Sequence, residues 1–326
     1  MLTSGAFGAL LVAMCVLAPL VGSTHISLAR AFDRSRPFAD NVDAQIFFIA
    51  RLPRVVAAAL VGGSLASAGV VFQALLRNPL AAPETLGVSI GASVGAMLAI
   101  TLLPEFSIAG LSAVPLASFA GSLGALAIVY GLSTARSRGM SSTVLLLGGV
   151  VLTSFLGAIV SFIQYLADFT QTFRTVRWLM GSLDVGSYAP IVASLVPLAF
   201  AAVGYATLPR ALDLLSLGPD AAAARGVDVA RAERVALVSA SLSTGAAVSL
   251  GGPIGFLGIV VPHLVRLIVG ADHRLVLPSS ALFGAAFLIA CDLVARTAFA
   301  PVELPVGIIT AMIGGPFFLW LLFRRA

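Results

Sequence analysis

The chain has 326 residues, of which 59% are hydrophobic and only 10% are charged, and its mean hydropathy is +1.06. Soluble globular domains carry about 25% charged residues, so this composition excludes an ordinary soluble protein and predicts an integral membrane protein surrounded by a lipid bilayer. The net charge of +5 comes from arginines scattered at the ends of apolar runs. That distribution is typical of membrane-flanking charge and disfavours a nucleic-acid partner.

Continuous apolar runs of about 20 residues predict membrane helices, since the strands of a membrane barrel would alternate apolar and polar residues. In chain order the runs predict ten spans, at about 2–22, 52–76, 86–103, 112–133, 143–167, 190–208, 233–251, 256–270, 279–300 and 305–323. We therefore expect an all-α integral membrane protein with a single domain over residues 1–326. The even number of spans places both termini on one side, and the arginines favour the cytosol for that side.

Three pairs of residues suggest an internal repeat. The pairs, each 183 residues apart, are Gly69 with Gly252, Pro79 with Pro262, and Gly87 with Gly270. With five spans in each half, a repeat of this kind would be inverted in the membrane, as in many transporters. We expect two inverted five-helix halves, over about 1–189 and 190–326.

Residues 251–274, GGPIGFLGIVVPHLVRLIVGADHR, form an apolar run that five glycines and two prolines interrupt. Such interruptions are tolerated in a membrane helix where the freed backbone groups line a cavity or pack on protein. The pattern therefore predicts a short, interrupted helix of a transporter. His263 and His273 lie within it, ten residues apart and without a cysteine nearby, so we expect structural or gating histidines and no metal site.

Several short motifs occur along the whole chain in a fixed order. They are RLPR at 51–54, QALLRNPLAAP at 73–83, GPIGFLGIVVPH at 252–263, DHR at 272–274 and ELPVG at 303–307. In these motifs and their order, the chain resembles the permease subunits of ABC importers for iron–siderophores, haem and cobalamin. The resemblance is specific for the family and says little about the cargo.

The resemblance implies a homodimer of ten-helix subunits in the bacterial inner (cytoplasmic) membrane, with the translocation pathway at the dimer interface. It also implies two cytosolic ATPase subunits and a periplasmic substrate-binding protein as partners. The chain contains no lysine, and a phosphate-binding loop of the form GxxxxGK[ST] requires one. We therefore expect a transport subunit rather than an enzyme, with no covalently bound cofactor and with ATP used by the partner ATPase.

Arginines stand at the ends of predicted spans on the expected outer side. They could be snorkelling side chains that anchor helix ends. The resemblance implies instead that they dock the binding protein through its glutamates, a pairing that suits the guanidinium fork. The residues expected in this role are Arg51, Arg54 and Arg296. Asp292 lies four residues before Arg296, so the two can also pair along one helix face.

The connection over about 210–231 is long for a structureless loop and is expected to form two short helices on the cytosolic side. An ordinary polar loop is the alternative. The resemblance implies coupling helices that dock into a groove of the ATPase. The residues expected to contribute are Leu217, Gly218, Pro219, Asp220, Arg225, Gly226 and Val227. Asp220 suits the first turn of a helix because an acid there complements the helix dipole.

Two further groups of residues are assigned by the resemblance. Asn78, Leu80, Ser142 and Thr143, at cytosolic span ends, are expected to line the inner gate, although Asn78 before a proline is also a common start of a turn. Arg174 and Arg177 follow the fifth span and would face the translocation pathway, or else lie solvated on the outer surface. If they face inward, two copies would place four arginines around the axis and favour an anionic cargo such as haem or a ferric siderophore.

Other functions remain open from the sequence. A cobalamin importer has the same motifs. A secondary transporter with the same number of spans would need a coupling-ion site, and the acids inside the predicted spans are too few to indicate one. A membrane enzyme would need a catalytic group of residues, whereas the three histidines of the chain are isolated in sequence.

Overall fold

The computed structural model describes residues 2–22, 24–33, 35, 37–108, 110–135 and 141–325, and most of these residues are helical. The helices are α1 (Leu2–Leu17), α2 (Leu28–Ala31), α3 (Val42–Gln45), α4 (Leu52–Leu75), α5 (Val88–Leu102), α6 (Ala113–Thr134), α7 (Ser142–Leu166), α8 (Phe169–Leu179), α9 (Ala189–Thr207), α10 (Pro209–Leu215), α11 (Pro219–Ala223), α12 (Val229–Gly251), α13 (Leu257–Val269), α14 (His273–Thr297) and α15 (Val306–Arg325). The strands β1 (Ser107–Ile108) and β2 (Leu111–Ser112) form one short antiparallel hairpin.

Within the described part of the chain, seven helices are long and apolar enough to cross a membrane, and three shorter apolar helices accompany them. The shorter ones are α5, α13 and the Val306–Leu321 part of α15. Together they correspond one to one with the ten predicted spans, so the prediction of an all-α membrane protein is confirmed. The second span begins earlier than predicted, because a π-helical stretch, Ile46–Arg51, joins α3 to α4.

Helix α4 lies at the centre of the bundle, against α12, α13 and α14. Small residues allow this close packing, because they let helix backbones approach. A Cβ built on Gly62 would lie 2.3 Å from the carbonyl oxygen of Gly284, and one built on Gly69 would lie 2.0 Å from that of Gly258. By contrast, α7 and α9 present most of their residues to the surroundings, as expected for helices that face lipid.

The residues of the proposed repeat do not occupy equivalent places. Gly69 lies inside α4, whereas Gly252 follows the end of α12. Likewise Pro79 lies in a connection, whereas Pro262 lies inside α13. The spacing of 183 residues therefore does not superpose one half of the chain on the other, and the two inverted halves stay a prediction.

The expected interruption in residues 251–274 lies before α13 and not at its internal proline. Helix α12 ends at Gly251, residues 252–256 are not helical, and α13 begins after Phe256. Gly252 has a φ of +68°, and a Cβ there would lie 2.6 Å from the carbonyl oxygen of Trp178. Both facts require glycine at the point where the helix stops.

Candidate functional site

The bundle has an inner end, which carries α10 and α11, and an opposite outer end, which carries α8. At the outer end, charged side chains from α4, from α14 and from the connection after α14 form one cluster. The Arg54 Nε donates to Asp292 Oδ1 at 2.8 Å, and its Nη1 lies 2.5 Å from Glu303 Oε2. The Arg296 Nε lies 3.7 Å from Asp292 Oδ2, so the predicted pair along α14 is confirmed.

The arginines of this outer cluster are internal. Arg51, Arg54 and Arg296 are 5%, 9% and 3% exposed. Arg51 donates to the carbonyl oxygens of Pro19, Leu20 and Thr24, and Arg296 donates to that of Ala18. Their donors thus tie the chain after α1 to the bundle.

The three arginines are therefore not open on the surface, and their role in docking a binding protein stays a prediction. The guanidinium groups already have partners within the chain, and they do not snorkel into solvent either. Of the cluster, Glu303 presents the most surface, with its side chain 46% exposed.

Arg174 and Arg177 both lie on α8 and are exposed. They line a cavity of about 390 Å³ that is bounded by α8, by the segment after it, by the beginnings of α6 and α9 and by the end of α12. The Arg177 Nη2 lies 3.2 Å from Asp184 Oδ2, and both side chains are exposed. A neighbouring carboxylate therefore balances the charge of Arg177.

At the inner end, the two short helices predicted between 210 and 231 are present as α10 and α11. Gly218, with a φ of +114°, separates them, and Gly226, with a φ of +80°, follows α11. Buried Leu215 and Ala222 pack with half-buried Val227 against the start of α12. Leu217 is 64% exposed at the turn, and Pro219, Asp220 and Arg225 lie on α11 or just after it.

Two hydrogen bonds between Asp213 and His273 join α10 to the first residue of α14. The His273 Nδ1 lies 2.6 Å from Asp213 Oδ1, and the backbone N–H of His273 donates to the same oxygen at 3.0 Å. His273 is 5% exposed. The sequence did not indicate this partner, which lies in an ordinary-looking helix sixty residues away.

The residues expected at the inner gate lie on two elements, with Asn78 and Leu80 in the connection after α4 and with Ser142 and Thr143 in the first turn of α7. The Asn78 Oδ1 accepts a hydrogen bond from the Leu80 N–H at 3.0 Å, so Asn78 does start a turn. Ser142 begins α7 and Thr143 is exposed. Helix α7 packs directly against the connection that contains Asn78 and Leu80, since a Cβ on Gly149 would lie 2.2 Å from the Thr85 carbonyl oxygen.

Glu84 lies in this same connection, in a 3₁₀ turn over Pro83–Leu86. Its Oε2 is shut off from solvent and has no hydrogen-bond partner among the described residues. Burial raises the pKa of Glu84 to about 7, because the charged carboxylate loses its hydration. The residues predicted from the sequence did not include Glu84, although an acid inside the apolar motif NPLAAPETL was a visible signal.

The non-helical segment 252–256 ends on a strained residue. Phe256 has a φ of +69°, and it packs so closely on α15 that a Cβ on Gly314 would lie 2.4 Å from the Phe256 Cβ. Two turns further along α13, the centre of the His263 ring lies 6.2 Å from that of the Phe317 ring. Among the described residues, no group of three or more His, Cys, Asp or Glu side chains is placed to hold a metal ion.

Comparisons with known proteins agree over nearly the whole chain. The FecCD transport family matches residues 10–324. The chain is 39% identical over 324 residues to the hemin transport system permease protein HmuU of Yersinia pestis, covering 98% of this chain and 95% of that protein. It is 46% identical over 279 residues to the cobalamin import system permease protein BtuC of Halobacterium salinarum, covering 84% and 72%. A solved structure of a putative metal-chelate type ABC transporter in an inward-facing conformation matches with a TM-score of 0.83 and 34% identity, over 98% of each chain.

Proposed function

The chain belongs to the FecCD transport family, and we propose that two copies of it form the translocation pathway of an ATP-driven importer for a large metal chelate. The observation that carries the proposal is the pair of short helices α10 and α11, fastened by Asp213 and His273 beneath a bundle of apolar helices. This pair gives a soluble partner a rigid surface at the inner end. The chain itself has no lysine for a phosphate-binding loop.

We assign ATP hydrolysis to two cytosolic ATPase subunits that dock on the α10–α11 surface. Leu217 at the turn and Arg225 after α11 are exposed there, while the buried Leu215 and Ala222 hold the surface in shape. The exposed side chains of this surface are available to contact the ATPase, and the packed side chains beneath them keep the surface folded when the ATPase moves. The expected location is the bacterial inner membrane, crossed several times, with this surface in the cytosol.

A periplasmic binding protein is proposed to dock at the outer end over the cluster of Arg51, Arg54 and Arg296. Because these arginines are buried and paired, a glutamate of the binding protein would have to displace Glu303 from Arg54. Glu303 is the half-exposed member of the cluster, so it can move at a smaller cost than Asp292 can. Arg51 and Arg296 would then support docking indirectly, through their hydrogen bonds to the backbone of Ala18, Pro19, Leu20 and Thr24.

The inner gate is proposed to lie between the connection that contains Asn78 and Leu80 and the beginning of α7 at Ser142 and Thr143. Small polar and apolar side chains can close a pore there without binding the cargo tightly. At the outer end, Arg174 and Arg177 on α8 would meet the cargo as it enters.

The cargo is proposed to be an iron-containing chelate, haem or a ferric siderophore, with cobalamin as the alternative. Relatives of this chain carry the names of haem and of cobalamin permeases, and neither is favoured by identity and coverage together. The positive charge of Arg174 supports an anionic chelate, since haem bears two propionates and cobalamin has no such groups.

The test is reconstitution of the purified chain in proteoliposomes with the ATPase and binding protein of the same host. Haem, a ferric hydroxamate siderophore and cobalamin are supplied in turn on the binding protein. We expect one of them to stimulate ATP hydrolysis and to accumulate on the side of the membrane that carries the ATPase. Uptake that proceeds without ATP and depends on an ion gradient would instead establish a secondary transporter.

A further inference from the structure

Pro262 leaves one backbone carbonyl of α13 without its helical donor, and a side chain of another helix replaces that donor. Proline has no N–H, so the carbonyl four residues earlier, that of Gly258, receives no bond from it. The side-chain Nε2 of Gln73, on α4, donates to this oxygen at 2.9 Å. Gln73 is 4% exposed, so water does not compete for the site.

The other side of the same amide is also used. The Arg266 Nη1 donates to Gln73 Oε1. A carbonyl only accepts and a guanidinium only donates, so these two partners fix which way the amide points. Arg266 lies one helical turn after Pro262, and Gly258 lies one turn before it. One side chain of α4 thus holds α13 on both sides of its proline.

Helix α13 connects the non-helical segment 252–256 to the pair of Asp213 and His273 at the inner end. Before Gly258, the chain runs through Phe256, which packs on α15 at Gly314. After α13, three residues lead to His273, which is bonded to Asp213 of the inner surface. A displacement of α10 can therefore reach the segment 252–256 through α13, provided that α13 keeps a fixed shape.

We propose that Gln73 is a positioning residue for transport, which replaces the hydrogen-bond donor missing at Pro262 and so holds α13 in a fixed shape between α10 and the segment 252–256. The inference rests on the proposed function, since α10 is displaced only if an ATPase docks there. Gln73→Leu keeps the size of the side chain and leaves both the Gly258 carbonyl and the Arg266 guanidinium without this partner. Gln73→Glu keeps an acceptor for Arg266 but cannot donate to Gly258.

The hydrogen-bond replacement is tested by a double-mutant cycle on the thermal stability of the detergent-solubilised protein. Pro262→Ala restores an N–H to α13, so the destabilisation by Gln73→Glu should largely vanish in that background, and that by Gln73→Leu should shrink. Pro278→Ala, which restores an N–H to α14 instead, is the matched control and should leave both costs unchanged. If Gln73→Glu lowered the thermal stability equally in the wild-type and Pro262→Ala backgrounds, the proposed hydrogen-bond replacement would be overturned.

The positioning role is tested in the reconstituted complex, with haem as the probe, or cobalamin if only cobalamin stimulates the wild type. Gln73→Leu is expected to lower cargo delivered per ATP about tenfold while ATP hydrolysis continues, because a buried group without its partner distorts the helix. Full delivery per ATP by a destabilised variant would make Gln73 merely structural and overturn the role. Failure of the wild type with every cargo would refute the proposed function and the role with it, while the stability cycle would still decide the hydrogen-bond replacement.

Discussion

Among the arginines of the outer end, Arg54 stands apart because it supplies a close partner to a deeply buried carboxylate. Asp292 is 1% exposed and accepts from Arg54 at 2.8 Å. Breaking a buried ion pair costs about 3–5 kcal/mol, so we expect Arg54→Gln to lower the thermal midpoint of the solubilised protein by about 5 °C or more. Differential scanning fluorimetry in detergent measures this directly.

Two matched variants separate burial from charge in that experiment. Glu303→Gln removes the half-exposed partner of Arg54, and Arg177→Gln removes half of an exposed pair. Because Arg54 keeps Asp292 as a partner, Glu303→Gln should lose less stability than Arg54→Gln. Exposed pairs contribute about 0–1 kcal/mol, so Arg177→Gln should melt close to the wild type. If Arg54→Gln also melted close to the wild type, the buried cluster would not be holding the outer end together.

Glu84 gives the protein a pH dependence whose sign follows from its raised pKa. The usual pKa of 4.5 rises to about 7 in the folded protein, so the native state retains a proton that the unfolded chain has released. The stabilisation is fully present below pH 4.5 and is lost as pH rises through about 7, with a total of about 3 kcal/mol.

Thermal midpoints of the wild type and of Glu84→Gln, measured across this pH range, test that sign. We expect the wild type to lose stability relative to Glu84→Gln as pH rises, because glutamine stays neutral throughout. Parallel curves for the two proteins would mean that Glu84 ionises without cost, and that its carboxylate has access to water.

Single residues also show where prediction from sequence stopped. The pair of Asp292 and Arg296 could be predicted because residues four apart share a helix face. The burial of Arg51 and Arg54 could not, because their partners are backbone carbonyls near residue 20 and an acid at 303. Only the folded chain shows which donors are already used.

At the scale of elements, the spans were predictable and the exact place of the interruption was not. Continuous apolar runs mark helices in a bilayer irrespective of their neighbours. Pro262 would ordinarily end a helix, yet α13 continues through it, and the Gln73 amide donates to the freed carbonyl. A compensation that comes from a different helix leaves no local trace in the sequence.

The hydrogen bonds between Asp213 of α10 and His273 of α14 lead to a prediction about the coupling of ATP hydrolysis to cargo uptake. Asp213→Ala removes the acceptor of both bonds from His273, so α10 should move without carrying α14. We expect cargo uptake in the reconstituted complex to fall about tenfold while ATP hydrolysis persists. Asp213→Asn keeps an acceptor in the same place and should lose less. Equal uptake by Asp213→Ala and the wild type would show that force reaches the bundle elsewhere.

At the scale of the whole molecule, the most buried helix lies at the centre of the bundle, and ionic and polar contacts lie at its two ends. Helix α4 is buried along most of its length, and glycine contacts with α13 and α14 bring the backbones together. Polar links are concentrated at the two ends of this core, in the Arg54 cluster and in the pair of Asp213 and His273. The two ends that are proposed to dock the partner proteins therefore carry these polar contacts, and the closely packed α4 lies between them.

The charge at the outer end then bears on which cargo enters. Arg174 is exposed on α8, whereas Arg177 is balanced by Asp184 at 3.2 Å. If the cargo is an anionic chelate, Arg174→Gln should slow its uptake about threefold to tenfold, through weaker electrostatic attraction. Asp184→Asn should have the opposite effect, because it releases the charge of Arg177. Uptake of cobalamin, which has no free carboxylates, should respond to neither change. Initial rates of uptake for haem and for cobalamin across these variants therefore distinguish the two classes of cargo. Rates that are unchanged for both would place α8 outside the pathway.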